Sequence, residues 1–379
     1  MAFNFDEWID RRHSDSSKWN KFAENVLPMW VADMDFRSPP CILEALQARV
    51  RQGVFGYGKR PYELIDVLTE RLASRYQWRI KPEWLVFLPG VVSGLNLCVR
   101  ALTAASESTI APTPIYPPFR KASELARRTQ INAPLRLTEK RWTLELEALT
   151  ASMTGNEKLL MLCNPQNPGG TVYRRHELEQ HLAFAQRHEL IVCSDEIHCD
   201  LLLEPGVTHI PFATLSEDAA QRSVTLISPS KTFNIAGLGA SVAVIPNPEL
   251  RRKFKAERAG IVPEVDTLAL TAAEAAWRGG EAWLQALLVY LRANRDRLTQ
   301  AVNATPGLTM ISPEATYLGW VDASGLGVEN PAAFFFNAGL GFSPGIDFGE
   351  QQFIRINFGC TAAVLAEALS RLQTAVQQR

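Results

Sequence analysis

A lysine ammonium is strongly hydrated and ordinarily stays on a protein's outside, yet Lys231 lies in SPSKTFNIAGL (residues 228–238), directly after the apolar run Val224-Thr225-Leu226-Ile227. An amine in such a partly desolvated place has a lowered pKa and can form a Schiff base with an aldehyde. Ser228 and Ser230 hold alternate positions on the emerging strand, so both hydroxyls can be aimed at one phosphate; a pair of turn-forming serines fits the same pattern. The loop Gly90-Val91-Val92-Ser93-Gly94 follows LVFLP and opens the helical pattern LNLCVRALTAA. Free amides at a helix start, with small residues for close approach and the positive end of the dipole behind them, make an anion site. Asp195 ends another hydrophobic run, where a bare carboxylate is costly unless paired. In isolation it reads as a helix N-cap. Beside a phosphate site and a lysine it can instead keep a pyridinium nitrogen protonated, turning an aromatic ring into an electron sink. Phosphate cradle, pyridinium partner and Schiff-base lysine together describe a site for pyridoxal 5′-phosphate.

The elements that must position these groups are short β-rich runs alternating with longer helical patterns. LLMLC (159–163), a helix near 175–189, LIVCS (190–194) and SVTLIS (223–228) follow one another. Continuous apolar runs with crossovers of this length predict a parallel sheet covered by helices on both faces, an α/β fold. Ligands bind beyond the carboxyl ends of such strands. The polar clusters Asn164-Pro165-Gln166-Asn167-Pro168, Asp195-Glu196-Ile197-His198 and Ser228-Pro229-Ser230-Lys231 fall on those ends and are expected to converge. A long helix near 277–302, the strand-like YLGWVD and FIRINFG, and a closing helix predict a separate small α+β domain. The expected division is an N-terminal arm over residues 1–45 that helps complete the small domain, a large cofactor domain over 46–280 and the small domain over 281–379.

The bulk composition fits one large domain with a smaller one attached. With 39 lysines and arginines against 40 aspartates and glutamates, and no basic block, nothing argues for nucleic acid or anionic membrane as a partner. The opening MAFNFDEWIDRR lacks the order of a secretory signal, and no apolar run reaches the length that crosses a bilayer. Six scattered cysteines read as free thiols of a reducing cytoplasm rather than a disulfide framework. His198 with Cys193 and Cys199 matches no usual zinc spacing, so no metal is expected.

NPQNPGG, SDEIH and SPSKTFNIAGL resemble the fold-type I pyridoxal-phosphate enzymes of the class I/II aminotransferase superfamily, with a mostly parallel seven-stranded sheet. PMWVADMDF, GVVSG and the histidine in DEIHCD are similar, more narrowly, to the MalY/PatB type of cysteine-S-conjugate (cystathionine) β-lyase. The resemblance runs from about Phe5 to Gly359. It implies that Lys231 carries the cofactor, that Asp195 pairs with its ring nitrogen, that Asn167 bonds its phenolic oxygen, and that Tyr116 stacks on the ring; Lys231, Asp195 and Tyr116 form the catalytic set. Val92, Ser93, Ser228 and Ser230 would surround the phosphate. Tyr57, in FGYGKRP, matches a tyrosine that reaches the neighbouring subunit's phosphate, implying a homodimer with composite sites. His198 stands where many aminotransferases of the superfamily have tyrosine and is counted with the cofactor-binding residues; a core histidine bonded to nearby backbone is the alternative.

Arg355 alternates with Ile354 and Ile356 and, in the family, forks onto the substrate α-carboxylate, with Asn167 beside it; a solvent-facing arginine is the isolated reading. Two departures from the pattern, Gln166 for histidine and Ser93 for proline, are expected near cofactor or substrate. Phe334-Phe335-Phe336 reads as core or interdomain packing. Trp30 and Asp33 to Asp35 fit either the site's entrance near a partner subunit or an arm folded onto the large domain. The implied reaction is α,β-elimination from L-cystathionine or a related cysteine S-conjugate to pyruvate, ammonia and a thiol. An aminotransferase with the same residues, or a lyase-fold protein with a regulatory binding role, are the alternatives.

Overall fold

The computed structural model describes residues 3–59 and 61–379; Met1 and Ala2 of the opening stretch and Arg60 of FGYGKRP lie outside the described residues. The arm enters through a short strand, β1 (Leu27–Pro28), and reaches the helix Pro40–Gln52. The large sheet then takes β2 (Leu85–Leu88), β3 (Ser108–Thr113), β4 (Gln130–Thr138), β5 (Arg141–Leu144), β6 (Glu157–Cys163), β7 (Ile191–Asp195), β8 (Ser223–Ile227) and β9 (Ser241–Val244). Their order is β2-β9-β8-β7-β6-β3-β4-β5. The neighbours β8-β7-β6-β3-β4 pair in parallel, whereas β9 and β5 run against them. The expected seven strands are thus extended by an eighth, because the chain folds back from β4 at the open edge.

Burial explains which runs became central strands. In β6, Leu159 and Met161 pack into the core on one face while Leu160 and Leu162 pack into the core on the other, all four fully buried. Such double-sided burial is what a continuous apolar run requires. At the edge, β4 instead alternates buried Ala133 and Leu135 with exposed neighbours, and all of β5 is half-buried. The helix Val91–Leu102 lies against the sheet so closely that a Cβ at Gly94 would come within 2.7 Å of Leu226 Cδ2 on β8. The second glycine of GVVSG therefore serves helix–sheet packing.

Beyond the helix Glu281–Asn303, the chain forms β10 (Thr309–Met310), β11 (Leu318–Asp322), β12 (Leu340–Gly341), β13 (Ser343–Pro344) and β14 (Phe353–Asn357), closing with the helix Ala362–Gln377. A four-stranded antiparallel sheet has the order β10-β11-β14-β13. β12 pairs in parallel with β1, stitching the arm to this second sheet's neighbourhood. Of the three phenylalanines, Phe335 is fully buried, but Phe336 is 43% exposed and meets the arm's Phe22 edge-on at 5.5 Å. Only the middle ring is core, since successive residues of the helix Pro331–Asn337 face different directions. Among the described residues, no helix is long and apolar enough to cross a membrane.

Candidate active site

Chain order reverses between β3 and β6: from β3 the chain moves outward to β4 and then returns to β3's other side to build β6, β7 and β8. A crevice at the carboxyl ends of strands is expected at such a reversal, and a cavity of about 360 Å³ opens there. Lys231, Asp195, His198, Asn167, Tyr116, Val92, Ser93, Ser230 and Arg355 all line it. The predicted convergence is therefore met by nine of the named residues.

Each strand end delivers its group for a local reason. Asp195 closes β7, and its Oδ1 accepts from the Ile197 amide at 3.1 Å, a turn bond two residues on; no helix starts here, so the N-cap reading falls away. Burial raises its pKa to about 7, with Glu196 adding to the rise and the Ile197 amide and Lys231 opposing it. Lys231 Nζ donates to the Ala32 carbonyl at 2.7 Å. Burial lowers its pKa to about 8; Arg355 lowers it further, while Asp33 and Asp195 pull it up. A neutral amine is thus accessible near neutrality, as Schiff-base and general-base chemistry requires.

Arg355, on β14, is buried rather than solvent-facing. Its Nη1 donates to Asn167 Oδ1 at 3.0 Å and its Nη2 to the Trp30 carbonyl at 2.8 Å, while the guanidinium lies 4.5 Å from the Phe348 ring centre. Nε has no partner, and burial lowers the pKa to about 10. His198 likewise has a buried Nδ1 without a partner, so the backbone-bonded alternative does not hold; burial, then Lys231 and Arg355, lower its pKa to about 3 and keep the ring neutral. Tyr116 immediately precedes the helix Pro117–Leu125, and its amide donates to the Asn167 carbonyl at 3.1 Å.

Three expected residues stand elsewhere. Ser228 does not line the cavity: its hydroxyl donates to the Ala240 carbonyl at 2.6 Å and lies 2.8 Å from that of Ser230. It stands behind Ser230 because the strand has already turned. Gln166 is fully buried away from the cavity, with Nε2 donating to the Pro114 carbonyl at 2.8 Å and Oε1 accepting from the Gly169 amide, so it shapes the loop that carries Asn167. Tyr57 is fully exposed on a segment with exposed Val54 and Phe55 and does not line the cavity of its own chain.

Sequence reasoning left the arm undecided, and here the structure adds most. Val31 and Ala32 line the cavity. Asp33 and Asp35 turn away to Arg11, with Oδ2 of Asp35 also accepting from the fully buried Lys18 at 2.7 Å. What the arm supplies is carbonyl oxygen, which every residue possesses and no motif reveals. Tyr317, whose hydroxyl donates to the Ala32 carbonyl at 3.1 Å, was also missed; it lies inside the strand-like YLGWVD, where a tyrosine reads as packing.

The described residues fit a phosphorylated pyridine aldehyde: a buried amine, a buried carboxylate, two buried nitrogens without partners, and a helix start with no side-chain cap. Residues 24–372 match the family described as aminotransferase class I and II. The chain belongs to that family. It is 37% identical to the cystathionine β-lyase PatB of Bacillus subtilis (strain 168), over 98% of this chain and 100% of the relative. A crystal structure of OvoB is 63% identical with a TM-score of 0.98, covering 100% of both chains. The pyridoxal-phosphate-bound C-S lyase from Staphylococcus hominis is 31% identical with a TM-score of 0.92, covering 99% of this chain and 98% of the other. The large mostly parallel sheet with its attached smaller sheet is the fold-type I architecture of these enzymes.

Proposed function

We propose that this carbon–sulfur β-lyase, with pyridoxal 5′-phosphate as its cofactor, acts on L-cystathionine or a related cysteine S-conjugate and releases pyruvate, ammonia and a thiol. The observation that carries the reading is one buried cavity holding an amine with a lowered pKa, a carboxylate for a ring nitrogen and an arginine with a donor to spare. Lys231 would hold the cofactor's aldehyde carbon and Asp195 its ring nitrogen; Tyr116 would lie against the ring and Asn167 bond its phenolic oxygen. Val92, Ser93 and Ser230 would hold the phosphate at the helix start, with Ser228 orienting Ser230. His198, neutral and facing the same cavity, completes the set.

The cofactor supplies an aldehyde that captures the substrate amine and a protonated ring that draws electrons from the α-carbon. Arg355 binds the α-carboxylate, keeping Asn167 and the Trp30 carbonyl as its anchors. Lys231, with its amine free, would take the α-proton at Nζ, a task suited to an amine with pKa about 8. Asp195 keeps the ring nitrogen protonated; the cation it faces favours its charged form and offsets the cost of burial. The C–S bond then breaks with its electron pair leaving on sulfur, which is protonated to the thiol. One water enters overall, giving pyruvate and ammonia.

The enzyme works as a homodimer in which Tyr57 reaches the partner's site; its full exposure, between exposed Val54 and Phe55, supports this. A cytoplasmic setting is supported by six cysteines, all free and five of them buried. The division into an arm (1–45), a cofactor domain (46–280) and a small domain (281–379) belongs to the same proposal. The test is pure enzyme with L-cystathionine or L-cystine: with no added keto acid, pyruvate forms in equal amount to a thiol from the thioether and to a persulfide from the disulfide. Turnover only in the presence of a keto acid would make it an aminotransferase instead.

A further inference from the structure

We propose that Tyr317 is a positioning residue for the Lys231 amine, acting through the Ala32 carbonyl that both side chains share. The inference rests on Lys231 being the cofactor lysine. The Ala32 oxygen accepts from Lys231 Nζ at 2.7 Å and from the Tyr317 hydroxyl at 3.1 Å. A carbonyl oxygen offers two lone pairs, and both are taken. The phenol thereby fixes the direction of the carbonyl, and with it the place where the amine rests whenever it is not joined to an aldehyde.

The surroundings leave this carbonyl to these two donors. Its neighbours along the arm are claimed by others: Trp30 O by Arg355 and by Ser343 Oγ at 2.6 Å, Val31 O by Asn357 Nδ2 at 2.6 Å, and Asp33 O by Asn357 at 2.9 Å and Lys18 at 3.0 Å. Of four consecutive carbonyls, Ala32 alone faces the catalytic amine. Tyr317 is itself buried, with its carbonyl accepting from the Phe358 amide at 2.9 Å and its ring edge-on to His198 at 6.3 Å. Asp33 and Asp195 favour the charged amine, Arg355 opposes it, and His198 faces it as a neutral ring. Against that background a second donor on the carbonyl matters. The Tyr317 hydroxyl draws on the oxygen's electron density and weakens it as an acceptor for an ammonium, so the amine releases its proton more readily.

The experiment uses full-length, cofactor-free protein as wild type, Tyr317→Phe and Tyr173→Phe. Tyr173 is also fully buried, but its hydroxyl has no partner, so the control removes the same atom without touching Ala32. Acetylation of Lys231 by acetic anhydride is followed against pH by peptide mass spectrometry, and pyridoxal phosphate uptake is followed by absorbance. Tyr317→Phe should raise the acetylation midpoint by roughly half a pH unit and slow uptake at neutral pH about threefold. Tyr173→Phe should match wild type in both. An unshifted midpoint in Tyr317→Phe, or an equal shift in Tyr173→Phe, overturns the inference. If acetylation shifts as expected but the cofactor never attaches to Lys231, Tyr317 keeps its role and the cofactor reading fails alone. Matching unfolding midpoints among the three proteins establish that the change is local.

Discussion

The cavity has two walls built from different materials. The sheet wall presents side chains: Lys231, Asp195, His198, Asn167 and Ser230, each at or just beyond a strand end and each within a motif. The arm wall presents backbone: Val31 and Ala32 line it, and the carbonyls of Trp30 and Ala32 are held by Arg355, Tyr317, Ser343 and, one residue along, Asn357. Chemistry that changes protonation is concentrated on the first wall, whereas the second fixes where the reacting groups rest. The contrast teaches that a catalytic pocket is only half written in reactive residue types. The other half is an accounting of carbonyls that must each find a donor.

If the walls divide the labour in this way, variants on them should fail differently. The largest effect belongs to Lys231→Ala, which should abolish turnover and remove the long-wavelength absorption of the bound cofactor; a band that survives dialysis in the variant, or cofactor that borohydride fixes covalently to it, would reject the lysine. Asp195→Ala should keep some cofactor but lose on the order of a hundredfold or more in kcat. Steady-state pyruvate release measures this, and near-normal activity would contradict the role given to Asp195. Arg355→Lys, at the junction of the walls, loses the fork onto a carboxylate, and kcat/KM should fall roughly tenfold to a hundredfold, chiefly through KM.

Behind the arm wall, Asp35→Ala removes the acceptor shared by Lys18, Trp19 and Arg11 and leaves Lys18 buried with an uncompensated charge. The expected cost is about 3 to 5 kcal/mol in denaturant unfolding. Lost turnover at an unchanged unfolding midpoint would erase the distinction between the walls. The smallest effect concerns pH. His198 has a folded pKa near 3 against an ordinary 6.5, so the folded state binds fewer protons than the unfolded one between those values. Stability from this group is present above pH 6.5 and is lost as pH falls towards 3. In cofactor-free protein, the difference between His198→Phe and wild type should therefore move in the variant's favour as pH falls through that window; comparing the two cancels the opposite slope from Asp195, whose pKa is raised from an ordinary 3.8 to about 7. A pH-independent difference would show that His198 is not held neutral by the sheet wall.

Legibility followed the same division. The central strands were readable because β6 and β8 are buried on both faces and so are built mainly from apolar residues, and Lys231 and Asp195 were readable because charge at the end of such a strand demands a reason. The eighth strand, β5, was not, since Arg141–Leu144 is half-buried and carries no clear period. Ser228, expected at the phosphate, lies beside Ser230 and bonds the Ala240 carbonyl, just past the last residue of β8. Gln166, next to Asn167, looked like a site residue and proved to be a brace for the loop.

By itself the sequence determined the α/β architecture, the strand ends where polar groups converge, and the amine and carboxylate suited to pyridoxal-phosphate chemistry. These follow from periodicity and from the cost of burying charge, which act locally and leave residue types as their record. Only the tertiary structure decided that Val31 and Ala32 form a wall of the cavity, that Ala32 receives the lysine, and that Tyr317 shares it. Those choices depend on groups nearly 200 and 300 positions apart meeting at one oxygen, and a backbone oxygen is the same in every residue until the fold gives it a donor.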